Sequence, residues 1–112
     1  MYVIIEDEED LLSALTDLLE LEDLQVVGFT NFFEAQKFIV ENQEKVDFVI
    51  CDNNLKEGLG IEFSRDLPPN LSLCIMSGEE VPGLQERDYL EKPFSPDQVF
   101  KMLDRHKQKM SS

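Results

Sequence analysis

The sequence predicts an α/β fold: a five-stranded parallel sheet covered by helices on both faces. Short apolar runs alternate with segments of helical periodicity along the whole chain, the order expected when a helix returns each strand to the same edge. With 112 residues the chain has room for one domain with a core on each face of a small sheet, and none for a second folded domain.

The first strand is Tyr2 to Ile5 and the second Gln25 to Phe29; Phe48 to Cys51, Leu71 to Met76 and the short Tyr89 to Glu91 complete the five. After the first strand, Leu11, Ala14, Leu15 and Leu18 recur at three- and four-residue spacing while Asp17, Glu20 and Glu22 point elsewhere, which predicts an amphipathic helix. A second helix, near Phe33 to Glu41, is expected to bury Ala35, Phe38 and Ile39. The third, around Ile61 to Asp66, is kept short by Pro68-Pro69. Between Ser77 and Lys92 lie 14 residues that must hold two loops and most of a strand, and Pro82-Gly83 interrupts them. The fourth helix is thus short or absent, with about two turns as its ceiling.

The last helix opens on Ser95-Pro96-Asp97-Gln98, a capping-box pattern with proline at the first helical position, and turns Val99, Phe100 and Leu103 toward the sheet. The polar end after Lys107 reads as a frayed tail, giving a domain over residues 1–107 and a tail over 108–112. No internal repeat or low-complexity segment is present.

The 24 acidic residues outnumber the 10 basic ones, for a formal charge of −14. No basic cluster interrupts that field, which argues against direct binding to nucleic acid or anionic lipid. No apolar stretch approaches the roughly 18 residues of a membrane span, and Met1-Tyr2-Val3 leads into a strand without a basic leader, so a cytoplasmic location is expected. Cys51 and Cys74 sit inside apolar runs, where a reduced cysteine packs as a small hydrophobe.

The chemistry lies at the strand ends. In an open parallel sheet, ligands collect beyond the carboxyl ends of the strands where strand order reverses. Glu6 and Asp7 follow the first strand, Asp52 ends the third, Ser77 the fourth, and Lys92 follows the fifth. Three acids at one edge repel: at about 4 Å and an effective dielectric near 20, two like charges cost about 4 kcal/mol. A cation site built around an acceptor aspartate would relieve that repulsion.

Four stretches in this order carry a family resemblance: Val3-Ile4-Ile5-Glu6-Asp7-Glu8; Asp47 through Leu55 with Gly60 downstream; Ile75-Met76-Ser77-Gly78; and Asp88-Tyr89-Leu90-Glu91-Lys92-Pro93-Phe94. Over nearly its whole length the chain resembles the receiver domain of two-component response regulators. The resemblance implies a flavodoxin-like, doubly wound sheet of order 2-1-3-4-5. It implies that Asp52 accepts a phosphoryl group from a histidine kinase or phosphotransfer protein, with Mg2+ held by Glu6, Asp7, Asp52 and the backbone carbonyl of Asn54. Ser77 would bond a phosphoryl oxygen, Tyr89 would turn inward as Ser77 moves, and a cis bond before Pro93 would aim Lys92 at Asp52. The only reactions expected of such a chain are its own phosphorylation and dephosphorylation, and its output is a change in a surface read by a downstream protein.

Some positions depart from the family pattern. Glu6 replaces the more usual aspartate, and Lys56 stands where proline is common, so the acceptor loop is expected to be looser. The short region between Ser77 and Lys92 puts output through a fourth helix in question. The bland readings are that Glu6 and Asp7 cap the first helix, Ser77 is a turn residue, Tyr89 packs an edge strand and His106 lies on the surface near a helix C-terminus. The main alternative function is a degenerate receiver that binds proteins without phosphorylation. A phosphohydrolase with an aspartate nucleophile is disfavoured, because Asn54 occupies the place of the second aspartate that class needs.

Overall fold

The structure, a computed structural model, describes residues 1–79 and 88–111. The chain enters β1 (Tyr2–Ile5), α1 (Glu9–Leu21), β2 (Val26–Phe29), α2 (Phe32–Glu41) and β3 (Phe48–Asp52). A hairpin of β4 (Asn54–Leu55) and β5 (Gly58–Leu59) follows, then α3 (Gly60–Phe63) with a 3-10 turn over Ser64–Asp66, β6 (Ser72–Ser77), β7 (Asp88–Glu91) and α4 (Pro96–Ser111).

The main sheet has five strands in the order β2-β1-β3-β6-β7, every pairing parallel. Setting the hairpin aside, this is the expected 2-1-3-4-5 order of a doubly wound flavodoxin-like sheet. The expectation of a short or absent fourth helix concerns residues that lie outside those described.

Successive side chains of a strand face opposite sides, and the two cores follow from that alternation. Tyr2, Ile4, Phe48, Ile50, Cys74 and Met76 pack on one face with Leu15 and Leu19 of α1 and Val99, Met102 and Leu103 of α4. Val3, Ile5, Val49, Cys51 and Ile75 pack on the other with Phe32, Ala35 and Ile39 of α2. Both cysteines are buried and reduced, one in each core.

Two expectations need correction. In α1 the buried positions are Leu15 and Leu19, whereas Ala14 is exposed. Ala14 lies about 100° around the helix from Leu15, at the margin of a stripe centred on Leu15 rather than within it. His106 is buried, 1% exposed, with its ring stacked on Phe48 at a centroid distance of 4.1 Å and set edge-on to Tyr2 at 5.7 Å. Lys56 and Glu57 stand at the turn of a hairpin, with Asn54–Leu55 and Gly58–Leu59 paired as antiparallel strands around them. Two boundaries also differ: α2 begins at Phe32, which is buried, and α4 extends through Ser111.

The Ser95 capping box is formed in full. Gln98 Oε1 accepts from the Ser95 amide at 2.7 Å, and Ser95 Oγ accepts from the Gln98 amide at 3.3 Å. This fixes the start of α4 close behind Lys92, with the Lys92-Pro93 peptide bond cis.

Candidate phosphoacceptor and metal site

Four strand ends bring the site together. Glu6 follows β1, Asp52 ends β3, Ser77 ends β6 and Lys92 follows β7, and the pairing of Asp52 with Met76 and of Ser77 with Glu91 places these ends at one edge. Backbone bonds across the edge fix the levels: the Glu6 amide donates to the Phe29 carbonyl, Asn53 to Met76 and Lys92 to Ser77, at 3.0, 2.8 and 2.9 Å.

Glu6 and Asp52 are 0% and 3% exposed, and Asp7 is half-buried beside them. Carboxylate oxygens of the three lie within 4.8 Å of one another. Lys92 Nζ lies 3.0 Å from Glu6 Oε2 and 3.0 Å from Asp52 Oδ1, which makes it the bridge between the two buried acids. The other Glu6 oxygen accepts from the Glu8 amide at 3.2 Å, so this side chain both meets Lys92 and holds the entry to α1. Glu6 thus steadies the chain just ahead of α1 and pairs with Lys92, but it satisfies the amide of the N-cap residue rather than one in the helix's first turn. No side chain caps α1 at Glu8.

Burial pushes the carboxyls of Glu6 and Asp52 above the ordinary carboxylate range, against the opposing pull of Lys92. The charge of Asp52 adds to the rise at Glu6 and that of Asp7 to the rise at Asp52, where the Asn54 backbone acts the other way. Burial alone would lower the Lys92 ammonium, but its hydrogen bonds to Glu6 and Asp52 outweigh it and raise that group. Burial, with the charges of Asp52 and Glu6, also drives the Cys51 thiol far upward and leaves it inert.

Three carboxylates and one ammonium leave two negative charges in excess. A small, hard divalent cation fits this donor set, since such ions prefer oxygen ligands and would offset the surplus. Asn54, the fourth expected ligand through its carbonyl, opens the hairpin directly beyond Asp52.

Ser77 is 1% exposed, and its Oγ accepts from the Glu79 amide at 3.0 Å. The Tyr89 hydroxyl donates to the Ser77 carbonyl at 3.1 Å and to the Glu79 carbonyl at 3.2 Å, which ties the ring to the chain leaving β6. Ser77 does form a turn contact, as the bland reading has it, but it does so at the site edge.

Two supporting residues escaped the sequence reading. Buried Asn53 accepts from the Gly60 amide at 2.7 Å through its carbonyl and from the Ile61 amide at 2.9 Å through Oδ1, tying α3 to the end of β3 beside Asp52. A polar residue next to a strand end that leads into a turn was the available signal. Glu57 meets the Phe32 amide at 2.9 Å, 25 residues away in sequence, and nothing local announces that contact.

The sequence model of one family, response regulator receiver domain, matches residues 2–104. None of the curated proteins compared with the chain matches it in sequence. Among solved structures, a response regulator receiver domain protein from Clostridium thermocellum is similar with 20% identity and a TM-score of 0.82, covering 99% of this chain and 98% of that one. The receiver domain of the hybrid histidine kinase CckA gives 19% identity and a TM-score of 0.83 over 94% of this chain and 96% of its own. Chemotaxis protein CheY4 of Vibrio cholerae gives 19% and 0.79 over 93% and 95%. At these identities the likeness to solved structures is one of fold.

Proposed function

Since the chain belongs to the response regulator receiver domain family, we propose that it is a phosphorylation-controlled switch of a two-component phosphorelay, with Asp52 taking a phosphoryl group from a histidine kinase or phosphotransfer protein. One observation carries the reading: a nearly buried aspartate at a strand end, 3.0 Å from a lysine ammonium and grouped with two further carboxylates. A structural ion pair would need one acid per lysine. The surplus of acid is what a bound cation would offset.

Asp52 supplies the nucleophilic oxygen. As its bond to phosphorus forms, the donor's bond to phosphorus breaks, the leaving group keeps the bonding pair, and the product is an aspartyl phosphate. Glu6, Asp7, Asp52 and the Asn54 carbonyl would hold Mg2+, which when bound neutralises charge on the transferring group. Lys92 already lies at the Asp52 oxygen, and its ammonium donates a charge-assisted hydrogen bond to a phosphoryl oxygen.

Ser77 and Tyr89 form the switch. The Ser77 hydroxyl donates to the phosphoryl group, and a shift of this residue alters the carbonyl to which the Tyr89 hydroxyl is bonded. The reading places the protein in the cytoplasm, with a downstream protein reading the altered surface. Among the described residues, no helix is long and apolar enough to cross a membrane.

The test is intact-mass spectrometry after mixing with a small-molecule phosphodonor and magnesium. One added phosphoryl group, lost when a chelator replaces magnesium, is the expected result. No added mass would favour the phosphorylation-independent binding module.

A further inference from the structure

The hairpin after the acceptor is held by a contact that the phosphoryl chemistry does not use. Glu57, at its turn, reaches the start of α2, where Oε1 accepts from the Phe32 amide at 2.9 Å. Amides in the first turn of a helix lack partners within the helix and favour negative charge, so a carboxylate is held there by both effects. The N-cap residue Asn31 serves a different donor, its Oδ1 accepting from the Glu34 amide at 3.1 Å. With Phe32, Ala35 and Ile39 buried against the sheet, α2 is a fixed body for the hairpin to grip.

The other end of the hairpin is joined to the acceptor. Asn54 opens the hairpin two residues after Asp52, and Asn54 and Leu55 pair with Leu59 and Gly58. The Phe63 ring, stacked on Phe32 at 4.5 Å, backs the turn at Gly58, but an apolar contact sets no direction. The Glu57 bond does.

We propose that Glu57 is a positioning residue for phosphoryl acceptance: its bond to the Phe32 amide holds the hairpin against α2 and so fixes the place of Asn54, two residues beyond Asp52. This rests on the reading of Asp52 as the acceptor. Displacement by about 1 Å at a reacting group can cost about 100-fold, so loss of an anchor one step removed is expected to slow acceptance about tenfold.

Three variants of the full chain test this: Glu57→Ala, Glu57→Gln, which keeps an acceptor oxygen, and Asn31→Ala, which removes a cap of the same helix without touching the hairpin. Two readouts apply, the rate of Asp52 labelling by a small-molecule phosphodonor with magnesium, and hydrogen exchange at the Asn54 amide. Glu57→Ala should label about tenfold more slowly with faster Asn54 exchange, and Glu57→Gln should restore both to within about twofold. Asn31→Ala should lower the melting temperature while leaving both unchanged. Wild-type values for both readouts in Glu57→Ala would overturn the proposal, as would equal slowing in Asn31→Ala. If the wild type takes no label yet Glu57→Ala loosens Asn54, the acceptor reading fails and the clamp stands.

Discussion

Gly60 shows how tightly Asp52 is enclosed. A Cβ added there would lie 2.3 Å from the Asp52 carbonyl oxygen and 3.0 Å from Cys51 Sγ, and backbone cannot yield as a flexible side chain does. Gly60→Ala is expected to destabilise the fold by about 1–3 kcal/mol, read from urea midpoints, and to weaken magnesium binding because Asp52 must shift. The two buried carboxyls give a pH signature. Because burial raises the folded pKa values of Glu6 and Asp52 above their unfolded values, the folded state holds more protons than the unfolded one in the window between them. Their contribution is then largest in acid and falls as pH rises from about 4 through the raised values. Metal-free Asp52→Asn, which removes one such group, should gain stability relative to wild type over that rise; a difference that stays flat or runs the other way would contradict the electrostatics described. The meeting of Glu6, Asp7, Asp52 and Lys92 was legible because each stands at the end of an apolar run, where strand direction dictates position. The partner of Glu57 was not, since a contact across 25 residues leaves no local pattern.

At the scale of elements, the order of strands and helices and the capping box at Ser95 could be read from periodicity and turn chemistry. What misled in α1 was a single position: Leu11, Leu15 and Leu18 pack on the core as expected, but leucines at 11, 12, 15, 18, 19 and 21 surround so much of the helix that spacing alone does not show Leu19 buried and Ala14 exposed. Leu19→Ala should therefore cost about 2–5 kcal/mol by the cavity it leaves, whereas Ala14→Ser should stay within about 0.5 kcal/mol. Equal costs in chemical denaturation would show that the helix is rotated from its described position. His106 was misjudged for want of the same test, because it continues the buried spacing of Val99, Met102 and Leu103 by one helical turn. The β4-β5 hairpin gave no signal at all: two-residue strands around Lys56 and Glu57 are too short for alternation to register, and Gly58, at φ 151°, is the one position that marks its turn.

For the whole molecule, the −14 charge and the acid cluster point the same way. Magnesium that binds only the folded state should stabilise it by about 2.7 kcal/mol at roughly 100 times the dissociation constant. A diffuse acidic field attracts cations too, but salt screens that attraction beyond about 10 Å at 0.1 M. The gain should persist in moderate salt and shrink in Asp7→Asn; a melting temperature indifferent to millimolar magnesium would remove the metal from the account. The central claim is that this fold exists to present one aspartate to a phosphoryl donor. Its most direct test is to label the protein with a small-molecule phosphodonor and magnesium, reduce it with borohydride, which turns an aspartyl phosphate into homoserine, and sequence the peptides. Homoserine in place of Asp52 alone, and none in an Asp52→Asn variant, is the expected result, whereas conversion at any other acid, or at none, would contradict it.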